Sequence, residues 1–334
     1  MDTRSIEALK YTSLPVNLNV KPGDEVVILC DTRSDALVWQ GLAAAVAAAG
    51  GHPSITMMTP RDYPMADPTA PIAEAIKRAD VCFLTVTKAF IHSPTARAAM
   101  EAGTRFVNLE EATVDLLAAT GLETREDYEQ MQLLGQDVVD RWTGGRVGRL
   151  VSGNGTDLRF SIAERPGYYV AALSRPQPGV RLLSCAFPDG EAGIAPVEES
   201  VSGVLVVDVA VLGANVSDGR PDTPITLEIV DGHLKNVTGG VRADEFQRFL
   251  ADKGDEGAWR VGEISVGLNK RIPRTGNKAD KKSYGTAHVG FGENRDVAGV
   301  NASRLHYDLV LDQPTLVIDD EVVSDSGRLL LPHA

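Results

Sequence analysis

Over the first part of the chain, short continuous apolar runs alternate with stretches of helical periodicity. Val26-Val27-Ile28-Leu29-Cys30 follows the turn Lys21-Pro22-Gly23-Asp24 and predicts a buried strand. Residues 35–49 are rich in alanine and run into Gly50-Gly51, which predicts a helix with a glycine stop. The alternation continues with strand 54–58, helix 71–78, strand 81–86, helix 95–102 closed by Gly103, and strand 105–109. Two more helices are expected within 113–142. Strands apolar on both faces, separated by helices, predict an α/β N-terminal domain with a mostly parallel, doubly wound sheet.

Near Thr143-Gly144-Gly145-Arg146 the pattern changes. From Arg149 onward, short alternating runs lie between Gly, Pro and Asp turns, with strands expected at 157–162, 203–210, 226–231 and 234–239. One helix, 243–253, interrupts them. This reads as a mainly-β (α+β) C-terminal domain, antiparallel or barrel-like. The expected division is therefore an α/β scaffold domain over 1–145 and a β-rich domain over 146–334.

Composition narrows the function classes. The 334 residues carry 46 acidic side chains against 33 Lys plus Arg, a formal charge of −13. Such a field repels phosphate backbones and anionic lipid, so neither nucleic acid nor a membrane is an expected partner. Cys30, Cys82 and Cys185 lie far apart with no Cys-x-x-Cys pair, which argues against a disulfide framework or a thiolate zinc site. The first residues mix charges and lack a signal-peptide core, and the apolar run 38–50 is short for a bilayer. A cytoplasmic location is expected, and the sequons at Asn154, Asn215, Asn236 and Asn301 then carry no glycosylation meaning.

The turn after the first strand, Asp31-Thr32-Arg33-Ser34-Asp35, has no glycine, so the dinucleotide fingerprint is missing. Neither a P-loop nor a G-x-S-x-G elbow occurs. Candidate chemistry lies further on. In His306-Tyr307-Asp308, a strand period of two puts His306 and Asp308 on one face, adjacent and able to grip one ion. A surface hydrogen bond is the plainer reading of that pair. His288 stands among small residues in Gly285-Thr286-Ala287-His288-Val289-Gly290-Phe291-Gly292, where a core imidazole is the alternative. Glu263 is a carboxylate in an otherwise apolar stretch, and buried glutamate is rare unless paired or metal-bound. Glu191 follows the turn Phe187-Pro188-Asp189-Gly190 and by itself would pass as a solvated turn residue. Three carboxylates and two imidazoles make an N/O donor set suited to Zn²⁺, Mn²⁺, Co²⁺ or Fe²⁺, as one ion or as two held about 3.5–4 Å apart.

These motifs resemble the thermophilic-type metalloaminopeptidase family that includes aminopeptidases T and S. The matching text is Phe187-Pro188-Asp189-Gly190-Glu191, Ala195 to Gly203, Gly262-Glu263-Ile264 with Gly267-Leu268-Asn269, Gly285-Thr286-Ala287-His288, and Asn301 to Asp308. Gly155-Thr156-Asp157-Leu158 is similar to that family's opening of its second domain. The resemblance implies that Glu191, Glu263, His288, His306 and Asp308 bind divalent metal. The family peptidases carry a further tyrosine ligand after the position of His288, whereas residues 292–296 here read Gly-Glu-Asn-Arg-Asp. A second resemblance, similar in length, is to the 2,5-dihydroxypyridine 5,6-dioxygenase branch, which uses a single Fe(II). That branch shares the H-x-D element, has His in place of Glu263, and lacks counterparts of Glu191 and His288.

The leading expectation is a metal-dependent hydrolase of the aminopeptidase T type, cleaving an amide or related C–N bond of a peptide or small molecule through metal-activated water. Glu198 or Glu199 would serve as general base or as support for the ligands. Lys281 and Lys282 would neutralise a substrate carboxylate or an oxyanion, or else remain solvated. The alternative is a mononuclear ring-cleaving dioxygenase in which His288, His306 and Asp308 form a two-histidine, one-carboxylate triad. The resemblance also implies a homodimer or larger assembly.

Overall fold

A computed structural model describes every residue except Met1, Glu123, Asn215, Ser217 and Asp218; the sequon at Asn215 thus lies outside the described residues. The chain divides into two compact units. The first comprises Met1–Glu129, Val170–Gln177 and Arg181–Asp189, and the second Gln130–Tyr169, Pro178–Val180 and Gly190–Ala334. The sequence reading draws one boundary near 145, but here the chain leaves the first unit and returns to it.

The first unit is the expected α/β layer. Its five strands run in the order His52–Met58, Glu25–Asp31, Val81–Leu84, Arg105–Asn108 and Ser184–Ala186, every neighbouring pair parallel. Val26 to Cys30 and Val81 to Leu84 are buried on both faces, as their unbroken apolar runs require. Helix Ala36–Ala48 is capped by Asp35, which accepts from the Leu37 N–H. The turn where a dinucleotide fold would need glycine is closed by Asp31. Its carboxylate accepts from the Arg33 N–H and from both the N–H and the hydroxyl of Thr87. A negative charge is built into the place where phosphate would dock. Helix Thr3–Asn19, which the pattern reading did not identify, ends at buried Asn19. The Asn19 side chain donates to the Ala172 carbonyl and accepts from the Ser174 N–H, tying the returning segment to the unit.

The second unit is β-rich. An eight-stranded antiparallel sheet runs from His233–Thr238 through Val147–Val151 to Arg328–Leu329. A six-stranded sheet has the order Ala210–Leu212, His306–Asp312, Thr286–Gly292, Val261–Gly267, Glu191–Ile194, Gly167–Val170. The expected helix is present as Gly240–Lys253 and buries Ala243, Phe246, Phe249 and Leu250. Phe246 meets Tyr307 edge to face at 5.2 Å between centroids, and Tyr307 stacks on Phe291 at 5.4 Å. Each such ring buried is worth roughly 1.5–3 kcal/mol, which fixes the apolar face of the six-stranded sheet. Tyr307 and Phe291 alternate along their strands with His306, Asp308 and Gly290, so the polar residues fall on the opposite face. No helix among the described residues is long and apolar enough to cross a membrane.

Candidate metal centre

Strand register assembles the cluster. Strand His306–Asp312 pairs antiparallel with Thr286–Gly292, placing Gly290 opposite Asp308, Gly292 opposite His306 and His288 opposite Val310. On the other side Gly290 lies opposite Glu263, and Ser265 opposite His288, with an irregularity between Val261 and Glu263 that absorbs Gly262. Glu191 faces Gly267 at the start of the next strand. Gly190 delivers Glu191 there at φ +131°, where a Cβ would crowd Asn269. Gly290 is the centre of this row. A Cβ built on it would lie 2.9 Å from the Cβ of Glu263, 3.1 Å from Asp308 Oδ1 and 3.4 Å from His306 Cε1.

Four of the five sequence-derived ligands therefore converge, all buried. His288 Nε2 lies 3.1 Å from Glu263 Oε1 and 4.0 Å from Asp308 Oδ1. His306 Nε2 lies 3.3 Å from Asp308 Oδ1 and 3.7 Å from Glu263 Oε2. One donor atom each from Glu263, His288 and Asp308 falls within 4.8 Å of the others. An ion bonded at about 2.0–2.2 Å to nitrogen and oxygen separates its neighbouring donors by roughly 3 to 3.6 Å, so the spacing suits one cation. Buried Asp308 Oδ1, which faces both imidazoles, makes no hydrogen bond, although buried polar atoms are nearly always satisfied. The residues present fit a divalent metal.

The ligands are themselves held in place. His306 Nδ1 lies 2.8 Å from the backbone carbonyl of Glu293; as donor to it, the ring is held with Nε2 turned toward the cluster. The Glu293 side chain is pinned by two bonds from Arg295, which steadies that carbonyl. Ser265 donates to Glu263 Oε1 at 2.5 Å, and the Tyr168 hydroxyl hydrogen-bonds with Glu263 and Ser265. Neither Ser265 nor Tyr168 was identified from the sequence. Ser265 follows Glu263 at the period-two spacing of one strand face, but Tyr168 is remote in sequence and carries no motif.

Glu191 joins the group through Lys281. This lysine sits on the short turn Asp280–Lys282, its Nζ 3.1 Å from Asp308 Oδ2 and 3.4 Å from Glu191 Oε2. Its side chain is only 19% exposed, so it is not a solvated loop charge. Lys282 is buried as well.

Charge balance shifts the titrations. Burial works against the Glu263 carboxylate, but the His288 hydrogen bond and the His288 and His306 charges hold its pKa well below the usual range. Asp308 is held well below its ordinary value too, since Lys281, His306 and His288 outweigh burial. Burial lowers His306, but Asp308 and Glu263 overcome it and push the imidazole up to about 9. Lys281 is likewise raised by Asp308, Glu191 and Glu263 against its burial. Burial first, then the charges of Glu263 and Glu191, push Tyr168 well above the usual phenol value, so it remains a neutral donor.

The expected catalytic glutamates do not face this cluster as free bases. Glu198 is buried with every oxygen engaged: Oε2 accepts from Arg165 at 2.6 Å, and Oε1 from Asn294 at 2.9 Å and the Val300 N–H at 2.7 Å. Asn294 also donates to the Gly262 carbonyl, so Glu198 braces the strand that carries Glu263. Glu199 points to solvent. Arg165→Met is expected to cost about 3 kcal/mol of stability, because it strands a buried carboxylate. Glu199→Ala should stay within about 0.5 kcal/mol. Thermal unfolding of the two variants makes the comparison.

An α/β unit followed by a β-rich unit whose sheet gathers two imidazoles and carboxylates defines a candidate divalent-metal centre. The chain belongs to the NicX family, 2,5-dihydroxypyridine 5,6-dioxygenase, whose profile matches residues 14–331. It is 24% identical over 269 residues to the 2,5-dihydroxypyridine 5,6-dioxygenase of Pseudomonas putida KT2440, covering 78% of this chain and 73% of that one. The solved structure of the Pseudomonas putida KT2440 2,5-dihydroxypyridine dioxygenase is similar, with a TM-score of 0.80 at 19% identity over 99% of both chains. AmpT from Thermus thermophilus is similar with a TM-score of 0.66 at 16% identity, over 98% of this chain and 99% of that one. At these identities the two structures speak for the fold alone. The family match corrects the expectation of a hydrolase, metalloprotease or aminopeptidase: the resemblance to aminopeptidase T is one of fold, and the family is named for a dioxygenase.

Proposed function

We propose that this protein is a ring-cleaving dioxygenase that holds Fe(II) among His288, His306, Asp308 and Glu263 and acts on a hydroxylated aromatic ring of the dihydroxypyridine type. The observation that carries this reading is the convergence of two imidazoles and a carboxylate in one buried cluster of a NicX-family chain. Two histidines and one carboxylate are the usual ligands of non-haem Fe(II) oxygenases. Fe(II), when bound, supplies the one-electron and O₂ chemistry that protein side chains lack.

The chain's own residues prepare the site. The Glu293 carbonyl orients His306, while Ser265 and Tyr168 hold Glu263 by hydrogen bonds to its carboxylate. Strands buried on both faces keep bulk water from the cluster. Lys281 places a positive charge beside Asp308 and Glu191. Protein reconstituted anaerobically with Fe(II) should consume O₂ mole for mole with ring opening when given 2,5-dihydroxypyridine or another dihydroxylated ring. An oxygen electrode and product absorbance test this. Product formed under argon would overturn the reading.

A further inference from the structure

Resting on the reading of the cluster as a metal centre, we infer that the Lys281 ammonium stands in for a second metal ion and restricts the site to one. The Asp308 carboxylate is divided between two neighbourhoods. Oδ1 faces His288 and His306, at 4.0 and 3.3 Å, whereas Oδ2 accepts a hydrogen bond from Lys281 at 3.1 Å. Across from Oδ2, Glu191 Oε2 is buried, makes no hydrogen bond, and has Lys281 at 3.4 Å. Two buried carboxylate oxygens that would otherwise grip a second cation, with Asp308 as the bridge, are already spanned by a fixed one.

Net charge leads to the same count. Glu191, Glu263 and Asp308 contribute three negative charges, and Lys281 one positive charge. One divalent ion brings this buried group to neutrality. A second would leave two uncompensated positive charges in a low-dielectric site, which is strongly disfavoured. The lysine is also held on a built support. Thr286 donates to the carbonyls of Asp280 and Ser283, and Asp280 accepts from the Gly276 N–H, so the turn bearing Lys281 is fixed from both sides.

The test is metal stoichiometry, which needs no turnover. Metal-free wild type is titrated with Mn²⁺ or Co²⁺, followed by elemental analysis after gel filtration. One ion per chain is expected for wild type, one for Lys281→Arg, and two for Lys281→Ala. Lys281→Met preserves more of the packing and should also bind two, which keeps the test decisive where the smaller variant fails to fold. The double variant Lys281→Ala/Glu191→Gln should return to one. Two ions on wild type, or a single ion on folded Lys281→Met, would overturn the role assigned to Lys281 and leave the metal centre standing. No ion on wild type would bring down the metal centre itself, and this inference with it.

Discussion

Gly290→Ala is expected to weaken metal binding by about 10- to 100-fold while leaving the fold in place. Gly290 occupies the row between Glu263 and Asp308, and an added Cβ falls 2.9 Å from one ligand side chain and 3.1 Å from the other's oxygen. The first distance is too short for any pair of carbons, so Glu263 or its strand must move. Neither has room, because both strands are buried throughout and locked in an antiparallel ladder. Overpacking of this kind costs roughly 1–3 kcal/mol, small enough for a domain of this size to remain folded. The spacing among Glu263, His306 and Asp308 would open by tenths of an ångström, which a metal site tolerates poorly. Calorimetric titration with Mn²⁺ beside a thermal melt checks both halves. Unchanged affinity would show that the cleft beside Gly290 is not where the cation sits.

His306→Ala is the second large expected effect, exceeding 100-fold in affinity because a ligand is lost rather than merely loosened. It should also remove a pH dependence. In the metal-free protein Asp308 and Glu263 hold the His306 imidazole protonated up to about pH 9, against the opposing pull of burial. A cation requires the neutral ring, so below that value binding must displace the proton that His306 carries. Glu263 and Asp308 are already ionised and release none. Wild-type affinity should therefore rise about tenfold per pH unit between roughly pH 6 and 8 and level off near 9. Chelator competition at several pH values reads the slope, and in His306→Ala the part of the rise that extends toward pH 9 should be lost.

Much of this arrangement was legible in residue order. Period-two spacing placed His306 and Asp308 together, and an unpaired-looking Glu263 in an apolar run marked a buried carboxylate that needs partners. The strands and helices of the parallel sheet followed from unbroken apolar runs and glycine stops. Apart from helix Thr3–Asn19, what was missed depends on tertiary register. Ser184–Ala186 reads as part of the β-rich half, yet Phe106 pairs with Ser184 in the parallel sheet, and no local pattern encodes a partner so distant. Lys281 has the composition of a loop charge, and only the folded turn reveals the two carboxylates waiting for it. Glu198 left two roles open in the sequence, base or support, and only the fold separates them: Arg165, Asn294 and Val300 engage its oxygens, which fits support. The hydrolase expectation failed for a further reason. Ligand type is written in short motifs, but one donor set serves both hydrolysis and oxygenation.

The late return of the chain to its first sheet has a consequence for biosynthesis. Strand Arg105–Asn108 pairs on its outer side with Ser184–Ala186, with the Phe106 N–H bonded to the Leu183 carbonyl. During translation at about 5–20 residues per second, that apolar edge stays open for several seconds after it emerges from the ribosome. An open edge beside Phe106 and Val107 is a template for wrong pairing until the missing strand arrives. A fragment cut at the apparent boundary near 145 never receives that strand. The first unit is thus not a separable module: its completion waits on a segment synthesised after part of the second unit, so the two are bound together in their order of manufacture.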